Sequence, residues 1–242
     1  MTLAVFLTVL VAHGDEVNVA VAANFAAPMK RIVADFERDT GHKVQLSSGA
    51  TGKFYAQIRN GAPFDVLLAA DEETPAHLAQ EGAAITGSRF TYAIGRLVLW
   101  SPRSDFVDVD GKVLQRGNFD HIAIANPRLA PYGMAAVEVL RSLGYYDALV
   151  PRIVEGENIA QAYQFVASGN APLGFVALSQ VMKDGRIREG SAWIVPETLH
   201  RPIRQDAILL GHGINNVAAR TLLAYLRDNK ARSVMQSFGY AW

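Results

Sequence analysis

Cysteine, net charge and long apolar runs are all missing from this chain, and each absence argues against a class of protein. None of the 242 residues is cysteine, so we expect no lipoprotein anchored through a cysteine that follows a signal. Lys+Arg and Asp+Glu both number 23. A neutral chain without a basic run is a poor nucleic-acid binder, because such binding depends on Lys and Arg at phosphates. After residue 14 no apolar stretch is long enough for a membrane anchor.

The first 14 residues are typical of a secretory signal. The segment from Leu3 to Ala12 is apolar and uncharged, and it is too short to cross a bilayer as a helix. Ala12 and Gly14 are the small residues expected before a cleavage site, so Asp15 would begin the mature chain. The alternative is that these residues form a buried first strand. The signal interpretation predicts a soluble periplasmic protein that is exported through a signal at residues 1–14.

The order of apolar patterns predicts an α/β fold. Half of the residues are apolar (50%) and only 19% are charged, which is enough for a substantial core. Apolar strand patterns at 17–21, 44–46 and 64–69 alternate with amphipathic helix patterns, and this order favours a parallel sheet. A second α/β segment follows, and residues 207–210 are expected to return to the first. The predicted parts are residues 15–92 plus 205–242 (lobe I) and 93–204 (lobe II).

The turn at residues 47–53 (SSGATGK) is the strongest candidate for a binding site. It stands between a predicted strand and a predicted helix, where unpaired N–H groups and the helix dipole favour an anion. An ordinary turn with a Ser or Thr cap is the simpler alternative. A nucleotide P-loop does not fit, because Ser47 replaces its first glycine and Phe54 replaces its magnesium-binding hydroxyl.

Asn24 occupies the equivalent place after the first strand. Ligands of parallel α/β sheets bind beyond the carboxyl ends of the strands, and both Asn24 and Thr51 lie there, each just before a helix. Two such positions at one edge of one sheet strengthen the prediction of an anion site.

Seven short motifs together resemble the periplasmic molybdate-binding proteins of ABC importers. In chain order they are 22–25 (AANF), 48–53 (SGATGK), 61–66 (GAPFDV), 70–71 (AD), 126–127 (NP), 131–133 (PYG) and 170–174 (NAPLG). The resemblance extends from about residue 17 to 240. It implies a two-lobed type II solute-binding fold, in which each lobe is a mainly parallel sheet flanked by helices and two crossing strands form the hinge.

The resemblance also implies the ligand and the residues that hold it. A tetrahedral oxyanion, molybdate or tungstate, would be bound by neutral donors at Asn24, Thr51, Tyr132 and Ile159, without direct coordination of the metal. Asn24 and Thr51 match side-chain positions of the family, and Tyr132 and Ile159 match positions that offer backbone N–H groups. Some members have a tyrosine where this chain has Ala177, which suggests that the phenol comes from Tyr132.

The function implied is that of a monomeric receptor that delivers the oxyanion to an ABC permease with its ATPase. It would have no cofactor and no catalytic activity. One alternative keeps the fold but binds sulfate, phosphate or another small anion. A less favoured alternative is an enzyme that uses Lys53 on a phosphorylated substrate, although a solvated surface role is expected for Lys53. The 6 histidines are dispersed without short ligand spacing, so no metal site is expected.

Overall fold

The structure is a computed structural model that describes residues 14–183 and 185–242. The predicted signal, apart from Gly14, lies outside the described residues. The strands, in chain order, are β1 (Glu16–Ala22), β2 (Lys43–Gly49), β3 (Val66–Leu68), β4 (Phe90–Gly95), β5 (Leu97–Ser101), β6 (Ile122–Ala125), β7 (Ile153–Gly156), β8 (Leu173–Ala177), β9 (Met182–Lys183), β10 (Arg186–Ile187), β11 (Ser191–Ile194) and β12 (Ile203–Leu209).

Helices follow or separate most of these strands. In chain order they are α1 (Ala26–Thr40), α2 (Thr51–Arg59), α3 (Glu73–Gln80), α4 (Val113–Arg116), α5 (Pro131–Ser142), α6 (Tyr146–Leu149), α7 (Ile159–Ala167), α8 (Leu178–Val181), α9 (Val217–Tyr225) and α10 (Asn229–Ser237). A 3₁₀ turn, Ala23–Phe25, leads directly into α1. No helix among the described residues combines the length and the apolar character needed to cross a membrane.

Two five-stranded sheets form the two halves of the molecule. The first has the strand order β2-β1-β3-β12-β4, and the second has the order β11-β5-β8-β6-β7. In the first sheet β1 is parallel to β2 and β3, whereas β12 is antiparallel to β3 and β4. In the second sheet β6 is parallel to β7 and β8, whereas β5 is antiparallel to β8 and β11. The prediction of mainly parallel sheets therefore holds for three strands of each sheet, and the others make the sheets mixed.

The antiparallel strands are those that carry the chain between the sheets. Arg96 separates β4 from β5, so the chain leaves the first sheet there, and it returns between β11 and β12. The lobe limits predicted from the sequence, 92/93 and 204/205, fall inside β4 and β12, which both belong to the first sheet. The predicted division of the chain into lobes I and II otherwise stays a prediction.

In the core of the first half, β1 is covered on both faces. Val19, Ala20 and Val21 are all 0% exposed, as expected of a parallel strand between two helical layers. α1 buries Met29, Ile32 and Phe36 against this sheet, and each such side chain contributes ~1.5–3 kcal/mol by leaving water. α1 ends at Gly41, whose φ of 77° is the left-handed conformation that suits glycine.

The second core reaches across to the first half. It contains Leu97, Ile124 and Phe175 of the second sheet together with Ala23 and Ala70 of the first half. The carboxyl ends of β1 and β2 in the first sheet therefore lie against those of β6 and β7 in the second sheet. The helices that start at these edges surround the site described next.

Candidate functional site

Asn24, Thr51, Tyr132 and Ile159, the residues predicted from the sequence, line one small cavity between the two sheets. The cavity has a volume of about 10 Å³, and no charged side chain belongs to its lining among the residues that the structure describes. The four residues are between 1% and 3% exposed. The lining consists of Ala22, Ala23, Asn24, Gly49, Ala50, Thr51, Ala70, Ala130, Pro131, Tyr132, Asn158 and Ile159.

Each of the four predicted residues stands at the start of a helical segment. Asn24 lies in the 3₁₀ turn before α1, Thr51 and Ile159 are the first residues of α2 and α7, and Tyr132 is the second residue of α5. Their backbone N–H groups have no acceptor within the described residues. The first N–H groups of a helix have no intrahelical partner and carry the positive end of its dipole. Four such groups at one cavity make it suited to an anion.

The hydroxyl of Thr51 is oriented by the neighbouring strand. Its Oγ1 accepts a hydrogen bond from the backbone N–H of Ala70, at 3.0 Å. A hydroxyl has one hydrogen to donate, and this bond leaves that hydrogen free. Because Thr51 is 1% exposed and lines the cavity, the hydroxyl can donate to a bound anion in addition to the backbone N–H of the same residue.

Asn158 prepares the start of α7. Its side-chain oxygen accepts hydrogen bonds from the N–H groups of Ala160 and Gln161, at 2.9 and 3.1 Å. This is ordinary N-capping, and it satisfies the second and third N–H groups of the helix. The first N–H group, that of Ile159, is left for the cavity.

The side-chain amide of Asn24 is held by the protein. Its Nδ2 donates to Oε1 of Gln205 and to the hydroxyl of Tyr240, both at 2.9 Å. An amide nitrogen has two hydrogens, so both are used in this arrangement. The donor that Asn24 retains for the cavity is its backbone N–H.

The phenol of Tyr132 reaches the hinge between the sheets. Its hydroxyl accepts a hydrogen bond from Nε2 of Gln205 at 3.1 Å, and Gln205 Oε1 accepts one from the hydroxyl of Tyr92 at 2.9 Å. A β-carbon at Gly95 would collide with this phenol and with the Gln205 amide, so glycine is required there. Burial raises the pKa of Tyr132 well above its usual value, which keeps the phenol protonated.

A group of six buried polar residues thus joins the two halves behind the cavity, and we call it the hinge cluster. Each of its members is at most 5% exposed. They are Asn24, Tyr92, Tyr132, Ser179, Gln205 and Tyr240. Sequence reasoning identified Asn24 and Tyr132 but missed the other four, because they lie in distant segments and no local motif marks them.

The two halves also touch directly at the mouth of the cavity. The N–H of Gly52 donates to the carbonyl of Leu129 at 2.9 Å, and Lys53 forms an ion pair with Glu157. A larger groove of about 440 Å³ adjoins the cavity, sharing Ala70, Ala130 and Pro131 with its lining. Within the described residues no cluster of three or more His, Asp or Glu side chains could hold a metal ion.

Replacing Lys53 with methionine is expected to weaken anion binding by no more than about fivefold. Lys53 and Glu157 are 46% and 43% exposed, and an exposed ion pair contributes only about 0–1 kcal/mol. Isothermal titration calorimetry of Lys53→Met beside Lys30→Met, on the surface of α1, would measure the difference. A loss of a hundredfold or more would show that Lys53 contacts the anion itself.

Two crossing connections, two mixed α/β halves and an enclosed set of neutral donors between them define the class of two-lobed solute-binding proteins. The sequence profile described as bacterial extracellular solute-binding protein matches residues 17–241. The chain therefore belongs to the bacterial extracellular solute-binding protein family.

Two molybdate-binding proteins are similar over nearly the whole chain. The molybdate-binding protein ModA of Azotobacter vinelandii is 58% identical over 229 residues, which cover 95% of this chain and 91% of that protein. ModA of Rhodobacter capsulatus is 49% identical, covering 96% of this chain and 90% of that protein. The solved structure of the Azotobacter vinelandii periplasmic molybdate-binding protein superposes with a TM-score of 0.91, covering 93% of this chain and 99% of that one at 42% identity.

Proposed function

We propose that this protein is the receptor of an ABC importer and that it captures molybdate between its two lobes. The observation that carries the proposal is the cavity itself, where four unpaired backbone N–H groups and the Thr51 hydroxyl meet. Hydrogen bonds to an ionised acceptor are about twice as strong as those between neutral groups. The names of the relatives that are 58% and 49% identical supply the identity of the anion.

Asn24, Thr51, Tyr132 and Ile159 are the proposed ligand-binding residues, and all of them act on the oxygens of the anion. Thr51 contributes its backbone N–H and its hydroxyl, whereas the other three contribute backbone N–H groups. The metal atom of the anion stays inside its shell of oxygens, so no residue coordinates it. Tungstate has the same charge and shape, and we propose that it binds as well.

Delivery rather than catalysis is the proposed role. Closure of the lobes on the anion is a ligand-driven hinge motion, and the closed form would be recognised by a membrane permease that works with an ATPase. We propose that the receptor acts as a monomer in the periplasm after removal of a signal at residues 1–14. In this scheme it needs no cofactor and has no enzymatic activity.

A series of thermal melts with molybdate, tungstate, sulfate and phosphate tests the proposal. A ligand at about a thousand times its dissociation constant stabilises the folded state by about 4 kcal/mol. For a chain of this size that raises the melting temperature by roughly 8–16 °C. We expect this shift with molybdate and tungstate only, since we propose that the site selects among tetrahedral dianions by size. A shift with sulfate or phosphate alone would assign the site to another anion.

The affinity for molybdate is expected to stay constant between about pH 6 and about pH 9. Backbone N–H groups and the Thr51 hydroxyl do not titrate in this range. The phenols of Tyr132 and Tyr240 stay protonated because burial raises the pKa of both above the usual value. Calorimetry at several pH values would measure this. A loss of affinity with a midpoint near pH 6.5 would instead indicate that a protonated histidine binds the anion.

A further inference from the structure

Ser179 of the second half contacts the backbone of the anion-binding residue Asn24 in the first. It lies in α8, directly after β8 of the second sheet, and it is 5% exposed. Its Oγ donates a hydrogen bond to the carbonyl oxygen of Asn24 at 2.8 Å. This bond crosses from one half of the molecule to the other, so it depends on how the two halves are placed.

Tyr240, near the end of the chain, completes the contact. Its hydroxyl lies 2.9 Å from the Asn24 carbonyl, 2.9 Å from Asn24 Nδ2 and 3.1 Å from Ser179 Oγ. It accepts from Nδ2 and has one hydrogen to share between the carbonyl and Ser179. Asn24 is therefore held at both its peptide carbonyl and its side chain.

The segment around Tyr240 is itself fixed between the two halves. Ala241 pairs with Ile94 of β4, with N···O distances of 2.7 and 3.1 Å. On the other side Gly239 packs so closely on α8 that a β-carbon there would lie 2.8 Å from a methyl carbon of Leu178. The hydroxyl of Tyr240 is thus placed by contacts with β4 of the first sheet and with α8 of the second half.

These contacts fix the part of the cavity that the first half contributes. Asn24 lies in the 3₁₀ turn Ala23–Phe25. The hydrogen bonds that hold its peptide carbonyl and its side-chain amide therefore also fix the direction of its backbone N–H. A donor that is already oriented loses less freedom when the anion binds. Both hydroxyls are buried, and removal of either leaves a buried polar partner with one bond fewer.

We infer that Ser179 and Tyr240 are positioning residues that set the anion-binding N–H of Asn24 when the lobes are closed. The inference rests on the proposed function, because it assigns these residues a role in holding the same oxyanion. Neither residue belongs to the cavity lining itself. Their effect on binding passes through Asn24.

The test compares Ser179→Ala and Tyr240→Phe with two matched controls. Ser168→Ala removes an exposed serine hydroxyl at the end of α7, and Tyr225→Phe removes a tyrosine hydroxyl that binds Asp39 far from the cavity. We expect the dissociation constant for molybdate to rise about tenfold in Ser179→Ala and in Tyr240→Phe. This increase should come from a faster dissociation rate. The melting temperature without ligand should also fall in both variants, since each leaves a buried polar partner with one bond fewer, so the affinities are compared at a temperature where every variant is folded.

Ser179→Thr retains the hydroxyl, so we expect it to bind molybdate nearly as tightly as the wild type. If Ser179→Ala lost affinity only through poorer packing, Ser179→Thr would not recover it. This inference alone would be overturned if the wild-type chain bound molybdate and both Ser179→Ala and Tyr240→Phe had its affinity and dissociation rate. A wild-type chain that binds no oxyanion would overturn the proposed function, and this inference with it.

Discussion

Replacing Thr51 with valine is expected to weaken molybdate binding by about 10- to 150-fold. Valine keeps the shape of threonine but has no hydroxyl, so the bound anion loses one charge-assisted hydrogen bond, worth about 1.5–3 kcal/mol. The same change removes the acceptor of the Ala70 N–H, which now bonds to Thr51 Oγ1 at 3.0 Å. Titration calorimetry would measure the affinity, and a melt without ligand would measure the separate cost to stability.

Thr40 provides the control for this substitution. Its hydroxyl also accepts from a backbone N–H, that of His42 at 3.2 Å, but it lies at the end of α1, away from the cavity. Thr40→Val should therefore lower the melting temperature without changing affinity, whereas Thr51→Ser should retain affinity. If Thr51→Val bound molybdate as tightly as the wild type, the hydroxyl would have no part in the site.

Enlarging the residue at position 52 is expected to weaken binding progressively, to about a hundredfold or more for Gly52→Val. A β-carbon at Gly52 would lie 3.1 Å from the carbonyl oxygen of Leu129 and 3.2 Å from its Cα. The methyl groups of valine extend beyond that position, so the lobes would have to separate. Donors of one lobe would then exceed hydrogen-bond distance to an anion held by the other.

The series Gly52→Ala and Gly52→Val, measured by calorimetry, separates obstruction from a general loss of stability. Gly211, where a β-carbon would make only an ordinary contact at 3.4 Å with Ala83, serves as the control position. The ligand-free melting temperature should change little at position 52, since alanine and valine are both acceptable within a helix. Equal affinity across the series would show that the lobes need not approach each other at this point.

Local signals in the sequence predicted much of the fold and marked two of the residues around the cavity, Asn24 and Thr51. Small residues and hydroxyls between a predicted strand and a predicted helix marked Thr51, which is the first residue of α2 in the structure. Asn158 before an amphipathic run has the form of a helix cap, and its side chain does cap α7. Each of these signals is carried by neighbouring residues, so one sequence is enough to see it.

The contacts that join the two halves could not be predicted in this way. Asn24 bonds to Gln205 and Tyr240, which are 181 and 216 residues away in the chain. Nothing in the composition of either segment indicates the other. The assignment of the Tyr132 phenol to the site came from the resemblance alone, whereas in the structure that phenol bonds to Gln205 at the hinge.

The strands that run antiparallel in these mainly parallel sheets could not be assigned from the sequence for a related reason. An alternating βαβ pattern predicts parallel pairs, and it does so correctly for β1, β2 and β3. The direction of β12 depends instead on where the chain returns after the whole second half. Only the three-dimensional path places it antiparallel to β3 and β4.

A crystal structure of the protein with molybdate tests the central claim most directly, because the anomalous signal of molybdenum locates the anion without ambiguity. We predict that it lies in the small cavity, with its oxygens at about 2.7–3.2 Å from the backbone nitrogens of Asn24, Thr51, Tyr132 and Ile159. Thr51 Oγ1 should lie within the same distance of one oxygen. Molybdate bound instead in the larger groove, against the guanidinium of Arg128 or Arg201, would contradict the account.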